Sequence, residues 1–308
     1  LVTAQAVLAL FEKGDEAVLQ ELEAWAYAFP RAKETRSRAK AWVSLKRPKP
    51  LVFEALVELE HPDPSFPELL EGPEAHRRRR DGFKLTDPRM TPKEVAAEVD
   101  YCLYCHERER DSCSKGLKEK DGAFKKNPLG ITTAGCPLDE KISEAHLLER
   151  GGESLAALAT ILVDNPMCPG TGHRICNDCM KACIFQKQEP VNIPQAETGI
   201  LGAVLRMPYG VEVYGFLTRF NPLNVRRPVA LPYNGRNVMV VGMGPAGYTL
   251  SHYLLNEGFG VAGIDGLKVE PLPEDLAGTD AWPPKPVKDF SAIEKALDDR
   301  IFAGFGGV

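Results

Sequence analysis

The sequence predicts a multidomain chain: a mostly α-helical, cysteine-bearing part followed by the start of an α/β, Rossmann-type dinucleotide-binding unit. Eight cysteines (Cys102, Cys105, Cys113, Cys136, Cys168, Cys176, Cys179 and Cys183) fall in one stretch of the 308-residue chain. About 60 residues further on stands Val240-Val241-Gly242-Met243-Gly244-Pro245-Ala246-Gly247, a G-x-G-x-x-G turn behind an apolar run. Thiolates hold iron–sulfur clusters and such a turn holds a dinucleotide, so the order suggests electron transfer. The chain opens at Leu1 and stops at Val308, soon after a motif that needs more sequence to complete its sheet. A piece of a longer polypeptide is the expectation.

Each element follows from local pattern. Residues 1–90 read as an N-terminal helical region. Ala6, Leu8, Leu10 and Phe11 form one apolar group. Val18, Leu19, Leu22, Trp25 and Ala26 recur at helical spacing after Gly14-Asp15, and Pro30 ends that helix. The proline-rich stretch 62–73 reads as loop. Arg77 to Arg80 read as a solvated face; a docking patch for an acidic partner or a phosphate is the sharper alternative. Thr91-Pro92-Lys93-Glu94 is a helix start, with Thr as cap, Pro first and Glu third, and the helix runs toward Cys102. Residues 107–126, dense in both charges, read as an exposed insertion. Helical pattern returns over 139–148, stops at Gly151-Gly152 and restarts over 154–163; a further helix is expected to carry Cys179 and Cys183. Residues 186–234, with six prolines, read as a linker wrapped over other surfaces. A short buried strand over 237–241, a helix over 245–256 and a second strand over 260–264 follow. A loop over 271–286 and a helix over 289–301 close the chain. No repeat of solenoid period is present.

Composition narrows the classes. A net charge of −5 gives no support to nucleic-acid binding. No run reaches the roughly 18 apolar residues of a membrane helix. The start lacks the basic region of a secretory signal. A cytoplasmic setting is therefore expected, in which cysteines serve as metal ligands or redox groups rather than as a disulfide frame.

The cysteine spacings carry the chemistry. In Cys102-x2-Cys105 and Cys176-x2-Cys179 both sulfurs of a pair can turn toward one ion or one cluster face, and Cys183 follows one helical turn after Cys179. Cys136 and Cys168 each precede proline, a common end of ferredoxin ligand runs. Zinc is the competitor, but a zinc ribbon separates its pairs by roughly 15–20 residues. Here 70 residues lie between Cys105 and Cys176. Two clusters of four thiolates match the cysteine count. His106 and His173 lie near cysteines and stay open as supporting groups; His61, His76, His146 and His252 read as surface or packing residues. No Ser/His/Asp pattern or catalytic carboxylate pair is visible.

In the glycine motif, Gly242 makes the tight turn and Gly244 lets a pyrophosphate approach the backbone at the helix N-terminus. Pro245 and Ala246 begin the helix, and Gly247 permits close helix–strand packing. Asp265 follows Gly242 by 23 residues, the place of an acid that binds ribose hydroxyls. The motif alone does not separate FAD from NAD.

These pieces in this order, with Tyr101-Cys102-Leu103-Tyr104-Cys105, Gly135-Cys136-Pro137-Leu138, Arg174 to Cys183 and Pro190-Val191-Asn192-Ile193, resemble the N-terminal half of the glutamate synthase small subunit. The same module opens dihydropyrimidine dehydrogenase and related NADPH-dependent flavoproteins. The resemblance covers about residues 91–265. It implies an α-helical ferredoxin domain with two [4Fe–4S] clusters (91–185), the linker (186–234) and an incomplete FAD domain (235–308). One cluster would take Cys102, Cys105, Cys113 and the distant Cys183; the other Cys136, Cys176, Cys179 and Glu197. This chain departs from the family's pattern in three places. Seven residues separate Cys105 from Cys113, and 22 separate Cys113 from Cys136, both longer than the family's gaps. Cys168 is an added thiol that competes with Glu197 for the fourth position. The implied activity passes electrons from NAD(P)H through FAD and the clusters to a partner subunit or domain. The NAD(P)H site would lie outside this chain, which alone should not turn over. A non-enzymatic relay or scaffold with a vestigial flavin site, and a zinc-stabilised binding module, are the alternatives.

Overall fold

The computed structural model describes residues 9–10, 12–41, 46, 48–74, 77 and 89–266. Ala6, Leu8 and Phe11, the arginines after Arg77, the loop expected over 271–286 and the helix expected over 289–301 lie outside the described residues.

Helix α1 (Glu16–Ala28) opens on Asp15, whose carboxylate accepts from the Val18 N–H, and ends at Phe29, just before Pro30. Helix α2 (Pro92–Tyr101) has the full capping box: the Glu94 N–H donates to Thr91 Oγ1 at 3.3 Å and the Thr91 N–H to Glu94 Oε2 at 2.6 Å. There follow α3 (Ser112–Lys115), α4 (Ile142–Arg150), α5 (Ser154–Asp164), α6 (Cys168–Ile175), α7 (Asp178–Ala182), α8 (Ile193–Leu205) and α9 (Gly210–Arg219). Helices α4, α5, α8 and α9 share one core, with Leu158 of α5 and Ile200 and Val204 of α8 fully enclosed. Burying each such side chain contributes about 1.5–3 kcal/mol. Helix α2 crosses α8 at Gly199, where a Cβ would lie 2.2 Å from Val95 Cγ2. Lys46 fastens the N-terminal region to this body: it pairs with Glu98 of α2 and, at 3.0 Å, with Glu189, and lies 5.1 Å from the centre of the Tyr101 ring. Arg77 pairs with Glu71 at 2.6 Å.

Three expectations are corrected. The stretch 186–234 is not a linker over its whole length, because it contains α8 and α9, which bury Ile200, Leu201, Val204 and Leu217. Its prolines punctuate these helices: Pro194 sits in the first turn of α8 and Pro208 between α8 and α9. Residues 107–126 are not exposed throughout, since Ser112, Cys113 and Ser114 are buried in α3. Cys183 is not helical; it caps α7 in extended backbone at ψ 143°.

Strands β1 (Asn237–Val241) and β2 (Gly260–Ile264) pair in parallel, Asn237 opposite Gly260 and Val241 opposite Ile264, with α10 (Pro245–Asn256) crossing between them. Among the described residues these two strands form the sheet. The expectation of a buried β1 fails for most of its residues. Val240 is buried beneath Gly247, whereas Met239 and Val241 are 64% and 75% exposed. Side chains alternate across a strand, and α10 covers one face only.

Candidate metal and dinucleotide sites

Four thiols from three chain segments line one cavity. Cys102 caps α2 in extended backbone; Tyr104 then takes a left-handed conformation (φ 49°), and Cys105 starts a single 3-10 turn. That conformation costs a tyrosine about 1–2 kcal/mol; its hydroxyl donates to the Val99 carbonyl at 2.8 Å and holds the loop. Cys113 comes from α3 and Cys183 from beyond α7. The four line one pocket together with Ile142, Val191 and Ile193. Backbone N–H groups point at the sulfurs: that of Tyr104 at Cys102 Sγ (3.5 Å), and those of Phe185, Val191 and Ile184 at Cys183 Sγ. Burial pushes the Cys102 thiol up to about 12, and the charges of Cys183, Cys105 and Asp111 push the same way. Burial and then Asp111 push Cys113 further up, and its Sγ donates to Asp111 Oδ1 at 3.2 Å. Thiols in such an array ionise together only against a cation.

The second set is joined to the first through backbone. The Cys136 N–H donates to the Cys113 carbonyl at 2.8 Å, although 22 residues intervene. The insertion leaves and returns at one point. Gly116 and Gly135, both at positive φ, meet there so closely that a Cβ on Gly135 would lie 2.5 Å from the Gly116 nitrogen. Backbone hydrogen bonds from Leu117 to Thr133, Lys125 to Leu117 and Thr133 to Lys125 zip the excursion shut. Cys113 therefore keeps its place beside Cys136.

Cys136 Sγ accepts from the N–H groups of Glu140 and Leu138; burial, then Glu140, pushes its thiol up to about 11. Burial raises Cys179, and the charges of Cys136, Cys176, Glu140 and Glu197 add to it. Cys176, the exposed member, caps α6 in extended backbone. Glu197 of α8 is partly buried, accepts from Asn165 Nδ2 at 2.9 Å and shares a hydrogen bond with Glu140; burial and the Glu140 charge push its carboxyl well up. Cys168 lies beside Glu197 and Glu140 and within the apolar core of α4, α5, α8 and α9. Glu197 thus has both Cys179 and Cys168 as neighbours.

All eight cysteines are free thiols. Among the described residues no three His, Cys, Asp or Glu side chains converge on a single ion.

Sequence reasoning missed Glu140, Asp111 and His146. His146 is fully buried and borders both this thiol cavity and a neighbouring one lined by Glu140 and Glu197. Among the described residues its Nδ1 has no partner, and burial pushes the ring down to about 4. The spacing of Ile142, Ala145 and His146 along α4 was the available signal, since those positions share one helix face. His106 Nδ1 lies 2.7 Å from Ser143 Oγ, and His173 Nδ1 3.4 Å from Thr198 Oγ1.

At the glycine turn, Gly242 adopts φ 91° and its N–H donates to the Ile264 carbonyl at 2.7 Å. Gly247 has no room for a side chain: a Cβ would lie 1.8 Å from the Gly242 carbonyl oxygen. Gly244 caps α10 and has nothing within 4 Å of the position a Cβ would take. Pro245 and Ala246 follow in the first turn of α10. Asp265, at the end of β2, accepts from the Met243 N–H at 2.5 Å and the Gly266 N–H at 2.6 Å, so its carboxylate is turned into the glycine turn.

No family model matches the chain. Uncharacterized protein RP006 of Rickettsia prowazekii (strain Madrid E) is 51% identical over 142 residues, 46% of this chain and 19% of that protein. Uncharacterized protein RP005 of the same organism is 32% identical over 80 residues, 24% of this chain and 27% of that protein. The chain spans about a fifth to a quarter of the length of these curated relatives.

Proposed function

We propose that this chain carries the cluster-binding and first dinucleotide-binding parts of an FAD- and iron–sulfur-dependent oxidoreductase of the glutamate synthase small-subunit type. Its fold would then be an α-helical ferredoxin domain followed by the start of a Rossmann-type FAD domain. Its task would be to pass electrons between NAD(P)H, FAD and two [4Fe–4S] clusters to a partner subunit or domain, in the cytoplasm. The observation that carries the reading is the meeting of Cys102, Cys105 and Cys113 with Cys183 around one cavity. A cysteine some 70 residues along the chain, brought beside three others, supports the crossed ligation that the resemblance implies.

When bound, the flavin would supply two-electron hydride chemistry and the clusters one-electron chemistry. The chain's own residues would hold and tune them. Cys102, Cys105, Cys113 and Cys183 would ligate one cluster; Cys136, Cys176, Cys179 and Glu197 the other. The N–H groups aimed at Cys183 and Cys136 would draw charge from the sulfurs and set the potentials, since hydrogen bonds to ligand sulfurs tune a cluster. Gly244 would leave the approach to the α10 N-terminus open to a pyrophosphate, which the unsatisfied N–H groups there favour. Asp265 would have to swing from Met243 to reach a ribose.

Anaerobic purification tests the reading. A brown protein with about eight iron and eight labile sulfide per chain is expected. Stoichiometric zinc without labile sulfide would overturn it in favour of a zinc-stabilised module.

A further inference from the structure

We infer that Tyr248, seated on Gly170, is a positioning residue that fixes the glycine turn against the second thiol set, so that the two sites form one electron-transfer unit. The inference rests on the proposed function, and supplies the contact by which the dinucleotide part is held to the thiol part.

Tyr248 directly follows Gly247 in the first turn of α10. Its ring lies on the backbone of Gly170 in α6, where a Cβ would stand 2.5 Å from Tyr248 Cζ and Oη and 2.9 Å from Cε2. Only glycine admits the ring this deeply. Among the described residues the buried hydroxyl of Tyr248 has no hydrogen-bond partner. The ring is therefore held by shape and not by a polar bond. Tyr214, whose hydroxyl donates to the Pro166 carbonyl at 2.8 Å, stands beside both Tyr248 and Cys168.

The Cys168–Ile175 segment reaches both sites: Gly170 lies two residues after Cys168, and beyond a kink at Gly172 (φ 50°) the segment is capped by Cys176 of the second set. The other end of α10 is tied as well: Asn256 Nδ2 donates to the Thr218 carbonyl of α9 at 3.2 Å, and the Leu231 N–H donates to the Asn256 carbonyl at 2.8 Å. A helix of 12 residues is about 18 Å long. Anchored at both ends, it cannot pivot about either. Single-electron transfer, in which the donor loses one electron and the acceptor gains it without bond changes, falls steeply with separation. The Tyr248–Gly170 contact sets that separation at the end of α10 that would hold the dinucleotide.

The experiment uses the full chain carrying FAD and reconstituted clusters, with four variants: Gly170→Ala, Tyr248→Ala, Tyr248→Phe and the Gly170→Ala/Tyr248→Ala pair. After photoreduction of the flavin, bleaching of the cluster absorbance gives the inter-site rate. Gly170→Ala and Tyr248→Ala should each slow it by roughly tenfold at unchanged iron, sulfide and flavin content, because small misplacements between reacting groups are costly. Tyr248→Phe should match the parent. The pair should be faster than the two single losses predict, since the added methyl occupies space the ring has left. A second measurement needs no cofactor: hydrogen exchange of the 245–256 amides should quicken in Gly170→Ala and recover in the pair. Parent-like inter-site rates in both single variants, or unchanged exchange in Gly170→Ala, would overturn the inference. Absence of clusters from the parent chain would overturn the proposed function instead.

Discussion

Cys183 leaves α7 in extended backbone, and that change of direction lets a thiol next to Cys179 in sequence serve a different cavity. Cys183→Ser should therefore perturb the same cluster signal in electron paramagnetic resonance as Cys102→Ser. A spectrum that instead matches Cys176→Ser would show that each cysteine run builds its own cluster. Glu197→Ala should shift or destroy one cluster, whereas Cys168→Ser should leave both, because Cys168 is enclosed in the apolar core. Iron and sulfide analysis of both variants decides between them. The thiols were legible because cysteine is rare and its spacing is chemical information. Glu140 and His146 were not, because burial of a polar residue is decided by elements distant in sequence. His146 gives a pH prediction. Burial depresses its folded pKa from 6.5 to about 4, so the unfolded chain binds the extra proton between those values. Stability is then fully present above pH 6.5 and is lost as pH falls toward 4, by on the order of 2–3 kcal/mol from this group. The raised carboxyls of Glu140 and Glu197 act in the opposite sense over this window, so the difference between proteins is the readout: in the metal-free chain, urea stability should change less favourably from pH 7 to pH 5 in the parent than in His146→Gln. An equal slope in both proteins would remove His146 as the cause.

At the scale of elements, the helices written locally were readable and those written in context were not. The Thr91 capping box and the Gly151-Gly152 stop each lie within a few residues of what they control. Helices α8 and α9 were obscured by prolines, although Asn192 caps α8 and accepts from the Gln195 N–H at 3.4 Å. The proline count measured where helices start and stop, and burial of Ile200, Leu201 and Val204 supplied the rest. The insertion after Cys113 shows the converse. In sequence it separates two ligands; in space it is a closed excursion whose ends meet at Gly116 and Gly135. Replacing residues 117–134 by a two-glycine link should therefore preserve both clusters, and the Cys113 and Cys136 variants should behave as in the full chain. Iron content and visible absorbance of the shortened protein check this. Loss of both clusters would mean that the excursion itself supports the thiol sites.

Among the described residues a helical body meets a parallel βαβ unit through α10, so the thiol sets and the glycine turn share packing and are not independent beads on a linker. A test of the dinucleotide site must then act on the ligand without loosening the body. The three glycines of the turn differ in this respect. Any side chain at Gly242 is strained at φ 91°, and one at Gly247 collides with the Gly242 carbonyl, so either substitution damages the fold. Gly244 has φ −72° and open space where its Cβ would lie, so a valine there leaves the protein's own contacts intact. What valine would obstruct is the approach of a pyrophosphate to the α10 N-terminus. In the full-length protein, Gly244→Val should abolish flavin retention, measured by release and fluorescence, while cluster absorbance and thermal stability stay near the parent values. Asp265→Ala should weaken flavin binding more mildly, because it removes ribose hydrogen bonds and leaves the turn in place. Parent-like flavin content in Gly244→Val would move the flavin elsewhere and leave the turn as a nicotinamide or vestigial site. Loss of clusters together with flavin would instead show that the turn and the thiol body unfold as one cooperative unit, with α10 as the element that couples them.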